Sequence, residues 1–379
     1  MNYEARREKL YSWMNEEGIS LVVFADNEAS RNPSVRYLCG HPNDALLVLS
    51  IDKKSLLIPW DNNMAALYAK ADNIIPYTKF DLDQFAAVEA AAAYFKTPYG
   101  SKIEIPNSTS YPNFLKYVER LSGFDVLCRN DGAGSKVEQM RSIKDEIEID
   151  IYRKLSVKTN EIIALLEEAV PAGTLKSEAD VALFIEVECR KRGCDGVGFT
   201  TLAAGPERSF GIHCFPAWTS AAFGTRGLSI LDFGLVYNGY TSDVTMTFAN
   251  SPSKVQQKQL ELVEDAAETV LSMLKKAFSP QNEAPMLLAR DTARAVDSLF
   301  KKSGVFMPHG LGHGIGLEPH EEPFLRRAAS NTRQLECGNI ITVEPGLYDP
   351  VHGGCRLEND VLLSEQGAEV LTKSKIVRW

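Results

Sequence analysis

An Asn-Gly pair, Asn238-Gly239, stands between two runs of strand-forming residues, 228–235 and 240–249, and it constrains this chain more than any other feature. Asn-Gly favours a two-residue type I′ turn, because both central positions need positive φ, so the two runs are expected to fold back as a hairpin. The turn sets the register. With Tyr237 opposite Tyr240, Asp232 falls opposite Thr245, and Asp243 lies two residues along on the same face at a diagonal separation of ~7 to 8 Å. Two aspartates in a hairpin fit a solvated strand face. By the two-residue period, however, Ile230 and Val236 share the face of Asp232, which points to a buried face whose charges need partners.

A second pair of strand-like runs repeats the arrangement. Residues 339–344 run into Pro345-Gly346, and residues 355–363 return after Gly353-Gly354, with Glu344 and Glu358 as the acidic members. Arg356 and Asp360 share the face of Glu358, and an arginine there either pairs with a neighbouring carboxylate or contacts a substrate. Between the two pairs, residues 309–321 read His-Gly-Leu-Gly-His-Gly-Ile-Gly-Leu-Glu-Pro-His-Glu and hold three of the six histidines, His309, His313 and His320. The alternating glycines are expected to let backbone approach a ligand closely. Without a strand leading into a GxGxxG helix the segment is not a nucleotide loop, and without an HExxH helix it is not a zincin. His213, in Gly-Ile-His-Cys-Phe-Pro at 211–216, is either an inert loop histidine or a further cleft residue. Asp232, Asp243, Glu344 and Glu358 with His313 supply about the negative charge that two divalent ions neutralise. Their mostly hard oxygen donors suit Mn²⁺-like ions.

At 379 residues the chain exceeds the size at which single cores stop growing, ~250 to 300 residues, so two domains are expected. The first reads as α/β, with helices over 4–17, 85–95 and 111–122 and strands over 21–25, 45–50, 55–59 and 125–128. The turn-rich stretch 130–135 marks the expected boundary, giving domains 1–135 and 136–379. In the second, helices over 144–170 and 177–192 precede the first hairpin, and helices over 254–278 and 285–302 precede the histidine loop and the second strand pair. The order helix, helix, hairpin thus occurs twice, as an internal duplication would produce.

A net charge of −9 without a basic block excludes nucleic-acid backbone binding as the main activity. Seven scattered cysteines without a CxxC pair indicate neither a disulfide framework nor a zinc knuckle. Glu4, Arg6, Arg7, Glu8 and Lys9 occupy the positions where a signal peptide places its apolar stretch, and no apolar run of about 18 residues occurs, so a cytoplasmic protein without membrane attachment is expected.

Asp232 within LDFG, Asp243 within GYTSDVT, His313 within HGLGHGIG, Glu344 within VEPGLY and Glu358 within RLEND resemble the creatinase/aminopeptidase P/methionine aminopeptidase superfamily, closest to its Xaa-Pro dipeptidases (prolidases) and Xaa-Pro aminopeptidases. The resemblance spans the chain. It implies an α/β creatinase-type N-terminal domain over 1–135 and an α+β "pita-bread" catalytic domain with an internal pseudo-twofold duplication over 136–379. It also implies two divalent metal ions, Mn²⁺ first and Co²⁺ or Zn²⁺ as alternatives. Asp232 would bind one ion, His313 and Glu344 the other, and Asp243 and Glu358 both. The implied reaction is hydrolysis of the peptide bond preceding proline by a metal-bridging water, with Glu344 accepting its proton and His320 hydrogen-bonding the carbonyl oxygen. His213 and His309 match substrate-contacting histidines, and Arg356 and Tyr348 match positions that contact the substrate or stand behind the ligands. The implied partner is a short, proline-containing peptide, and the implied assembly a homodimer. The chain departs from the family at Met246, where arginine is frequent, and at 226–228, where a Gly-Asp pair is frequent. The alternative readings are a metal-dependent C–N hydrolase of a non-peptide small molecule, creatinase-like or ectoine-hydrolase-like, and a catalytically silent binding module.

Overall fold

The computed structural model describes residues 1–28, 30–282 and 286–379. Two compact units, Met1–Arg141 and Ser142–Trp379, divide the chain. The boundary read from the turn-rich stretch falls inside a helix, Ala133–Ser142, which starts within that stretch.

In the first unit a six-stranded sheet runs in the order Asn73–Ile74, Lys54–Pro59, Ala45–Ser50, Ile19–Asp26, Lys102–Glu104, Asp125–Leu127. The three longest strands are antiparallel neighbours, and the short ones pair parallel to them or to each other. Leu21, Val23, Leu46, Val48, Leu56 and Ile58 pack on one face against Ala87 and Ala91 of the Gln84–Tyr94 helix and Tyr117 of the Tyr111–Arg120 helix. Val22, Leu47, Leu49 and Leu57 are equally buried on the other face. A sheet buried on both sides explains why these strands read as continuous apolar runs rather than alternating ones.

The second unit repeats one order of elements. Helices Glu146–Ala169 and Glu178–Lys191 precede the strands Leu202–Ala204, Gly227–Phe233 and Val244–Asn250; helices Lys254–Ala277 and Ala289–Lys302 precede Gly312–Gly314, Glu321–Leu325, Ile340–Val343 and Asn359–Ser364. Pro285, where the last of these helices was expected to begin, lies outside the described residues. Capping boxes start three of the four helices, at Asp145 with Glu148, Ser177 with Asp180, and Ser253 with Gln256. Each satisfies two backbone N–H groups that a helix start leaves without partners. Leu260, Val263, Val270, Val296 and Phe300 from the second helix pair pack with Leu228, Ile341, Val361 and Leu363 from the strands into a single buried cluster. No helix among the described residues is long and apolar enough to cross a membrane.

The first hairpin has the expected turn and register. Asn238 and Gly239 have φ of 51° and 80°, Tyr237 pairs with Tyr240, and Asp232 pairs with Thr245. Neither strand is continuous, however. Gly234 interrupts one and Ser242-Asp243 the other. A Cβ on Gly234 would stand 2.0 Å from the Ser242 carbonyl oxygen, so this crossing tolerates only glycine. Asp243 N–H consequently leaves the ladder and donates to Asp360 Oδ2 at 3.3 Å.

Candidate metal centre

The second strand pair is interrupted in the same way. Ile340–Val343 pairs with Asn359–Ser364, and Gly346–Asp349 pairs with Gly353–Arg356. The two ladders share one register, which sets Glu344 across from Glu358 in the gap between them. Glu358 N–H crosses to Thr245 O at 3.1 Å, a single bridge that joins the second pair to the first hairpin. Three of the four carboxylates, Asp243, Glu344 and Glu358, therefore sit at breaks in their strands, where backbone departs from the pleat and side chains can converge.

His313 is the middle residue of the Gly312–Gly314 strand. A Cβ on Gly312 would meet Thr342 O at 2.1 Å, and one on Gly314 would meet Glu322 O at 2.1 Å. These two glycines thus make room for neighbouring backbone, not for a ligand as the sequence suggested. The close packing fixes the strand that presents the imidazole.

All five residues line one cleft of about 220 Å³, together with His213, His309, His320, Ile212, Phe324 and Arg326. Ligand atoms of Asp232, Asp243 and Glu358, of His313, Glu344 and Glu358, and of Asp243, His313 and His320 lie within 4.8 Å of one another in each group. His313 Nε2 stands 3.5 Å from Glu344 Oε1 and 3.8 Å from Asp243 Oδ2. His313 Nδ1 lies 3.0 Å from Gly314 O, an arrangement that leaves Nε2 as the lone-pair donor.

The electrostatics are those of carboxylates crowded together in a buried site. Burial, with Glu358 and Asp232 alongside, pushes the Asp243 carboxyl well above the usual carboxylate range. Burial and Glu358 do the same to Glu344, and burial and Asp232 push Glu358 up to about 7. Burial pulls His313 down to about 3 and His309 down to about 4, so both rings are neutral near pH 7. Asp232 Oδ1 is buried with no hydrogen-bond partner among the described residues. A neutral imidazole, an unpartnered carboxylate oxygen and three acids raised by one another's charge fit divalent cations.

Arg356 and Tyr348 stand behind the cleft rather than in its lining. Arg356 is 1% exposed, and each guanidinium nitrogen donates to the protein: Nη2 to Asp232 Oδ2 at 2.6 Å, Nη1 to Tyr348 Oη at 2.8 Å and Ile212 O at 3.1 Å, and Nε to Thr245 Oγ1 at 2.9 Å. The ion-pair reading of Arg356 fits this position, since the guanidinium is buried against Asp232 and does not line the cleft. Tyr348 Oη also meets His309 Nε2 at 3.0 Å, so its tie to the cleft runs through that ring. Met246 is fully buried opposite Leu231, on the other strand face from Thr245.

Residues 150–365 match metallopeptidase family M24, and residues 6–143 match the Creatinase/Prolidase N-terminal domain. The chain belongs to metallopeptidase family M24. It is 27% identical to an Xaa-Pro dipeptidase of Pyrococcus horikoshii, over 97% of this chain and 96% of that one. An uncharacterized peptidase of Staphylococcus aureus is 30% identical over 89% of this chain and 92% of its own. The solved structure of an Xaa-Pro dipeptidase from Bacillus anthracis superposes with a TM-score of 0.82 at 24% identity, covering 100% of both chains. This M24 chain is a metallopeptidase that depends on divalent metal ions.

Several residues of this M24 site carry no sequence signal. Glu178, fully buried at the first turn of its helix, accepts from Gly205 N at 2.8 Å, Thr219 N at 2.7 Å, Thr219 Oγ1 at 2.6 Å and Arg208 Nη1 at 2.6 Å, and so ties both ends of the loop that carries His213. In the sequence it is only an acid after a helix cap. Thr245 gives Glu358 Oε2 a 2.7 Å hydrogen bond; its place opposite Asp232 was legible from the turn, but its reach to a second strand pair was not.

Proposed function

We propose that this chain hydrolyses the peptide bond preceding proline in a dipeptide or at the N-terminus of a short peptide, using two ions, Mn²⁺ foremost. The observation that carries this is the likeness over nearly its whole length to an Xaa-Pro dipeptidase, combined with a complete Asp232, Asp243, His313, Glu344 and Glu358 donor set in one cleft. These five residues would hold the ions, which would supply Lewis acidity toward the scissile carbonyl and lower the pKa of water toward neutrality.

The protein's own groups do the rest. Glu344, on the cleft wall, would accept a proton from attacking water and return it to the leaving amine. His320, whose ring centre lies 4.3 Å from that of His313, donates to the carbonyl oxygen as negative charge develops there. His213 and His309, on the cleft wall, orient the leaving residue. Arg356, behind the cleft, holds Asp232, Tyr348 and Thr245 in place.

The deciding measurement is amine release, with added Mn²⁺, from Gly-Pro, Ala-Pro-Ala and an acylated diamino acid. Cleavage of the proline peptides is expected. Turnover of the acylated diamino acid alone would replace the peptidase reading with a C–N hydrolase acting on a non-peptide.

A further inference from the structure

The Glu178–Lys191 helix ends in a Schellman motif. Gly193 has φ +66°, its N–H donates to Arg190 O at 3.0 Å, and Cys194 N–H donates to Cys189 O at 3.3 Å. In this motif the side chains at the two ends of the longer bond lie against each other, ordinarily as an apolar contact. Here both are cysteines. Both thiols are free, with Cys189 fully buried and Cys194 partly exposed.

We propose that Cys189 and Cys194 are a redox modification site, closing into a reversible intramolecular disulfide when a small-molecule disulfide such as oxidised glutathione is present. Backbone geometry supports the bond, because the helix stop joins the two residues by a backbone hydrogen bond of 3.3 Å, at the positions whose side chains this motif brings together. Chemistry sets the order of events. The neighbouring Cys189 thiol and Lys158 hold the Cys194 thiol below its ordinary value, whereas the Cys194 thiol and burial hold Cys189 above it. Lys158 is anchored at this helix end, donating to Arg192 O at 2.6 Å.

Cys194, the partly exposed member of the pair, is the attacking thiolate, since the buried Cys189 is out of reach of glutathione. It breaks the S–S bond of oxidised glutathione, forms a mixed disulfide and releases one glutathione thiolate. Cys189 then loses its proton to solvent and attacks the Cys194 sulfur, releasing the second glutathione thiolate. Two protein thiols are oxidised by two electrons, and one glutathione disulfide is reduced to two thiols.

The bond would staple the helix end to the edge of the metal-bearing hairpin. Directly after Cys194, Asp195 N–H donates to Val236 O at 2.7 Å, Asp195 Oδ2 accepts from Gly239 N at 2.8 Å, and Gly196 and Val197 pair with Val236 and Leu235.

The test incubates the intact, folded protein with oxidised glutathione, alkylates free thiols, and maps tryptic peptides by mass spectrometry. Trypsin cuts at Arg190, Lys191 and Arg192, so the bridged product reads as two peptides joined through Cys189 and Cys194. That pair is expected, with both cysteines protected from alkylation and made alkylatable in the unfolded chain by dithiothreitol. In C189S, Cys194 should keep the glutathione adduct; in C194S, Cys189 should stay unmodified. The proposal is overturned if oxidised wild type retains both thiols in alkylatable form, if Cys194 remains capped by glutathione, or if the bridge forms to another cysteine.

Discussion

Asp232 carries the tension of the site in one side chain. Its Oδ2 is held by Arg356, and its Oδ1 is buried without a hydrogen-bond partner among the described residues. Arg356→Lys would keep the charge and lose the planar fork that meets Asp232, Tyr348 and Ile212 together. A weakening of metal affinity of roughly 10- to 100-fold is expected, as for other residues that orient metal ligands. Mn²⁺ titration followed by calorimetry measures it, and unchanged affinity would show that Asp232 needs no such support. The raised carboxyls make a second prediction with a definite sign. Below about pH 4 the folded and unfolded chains both hold these protons, so Asp243, Glu344 and Glu358 cost nothing. As pH rises the unfolded chain releases them first, and the metal-free protein loses stability until the pH passes the folded values, about 7 for Glu358. Chelation should therefore lower Tm more at about pH 8 than at about pH 5. Equal shifts at the two pH values, read by calorimetry, would contradict the electrostatic account.

At the scale of elements, strand breaks explain how four carboxylates and an imidazole meet. A regular strand alternates its side chains between two faces, so Asp243, Glu344 and Glu358 reach a common point because their backbones leave the ladder. The Gly312–Gly314 strand makes its contribution through closeness. With a Cβ at 2.1 Å from the Thr342 carbonyl oxygen, Gly312→Ala must push the strand away from its neighbour. A cost of roughly 1–3 kcal/mol in urea unfolding is expected, with weaker Mn²⁺ binding because His313 moves with the strand. Wild-type stability in that variant would mean the strand has slack that its packing does not show.

On the scale of the whole molecule, each unit carries a hydrophobic core of its own, around Leu21 and Val48 in the first and around Leu260 and Ile341 in the second. All five candidate ligands lie in the second unit. Hydrogen exchange with and without chelator should therefore show protection lost in Ser142–Trp379 and retained in the Met1–Arg141 sheet. Loss of equal size in both units would show that metal binding stabilises them as one cooperative body.

The local sequence determined what local physics controls. Asn238-Gly239 dictated a turn and, through it, the pairing of Asp232 with Thr245, because a two-residue loop allows only one register. Apolar periodicity and caps located the long helices to within a few residues, and the motifs singled out the five candidate donors that the structure brings to one cleft. Short elements were not: Ser34–Cys39, Leu202–Ala204 and Gly346–Asp349 are too brief to carry a period and form only because neighbours receive them. Tertiary structure alone decided that Gly312 and Gly314 serve neighbouring strands, that Arg356 is committed to Asp232, and that Glu178 ties down the loop bearing His213. Each depends on which atoms from distant parts of the chain share a few ångströms, and spacing along the sequence does not record that distance.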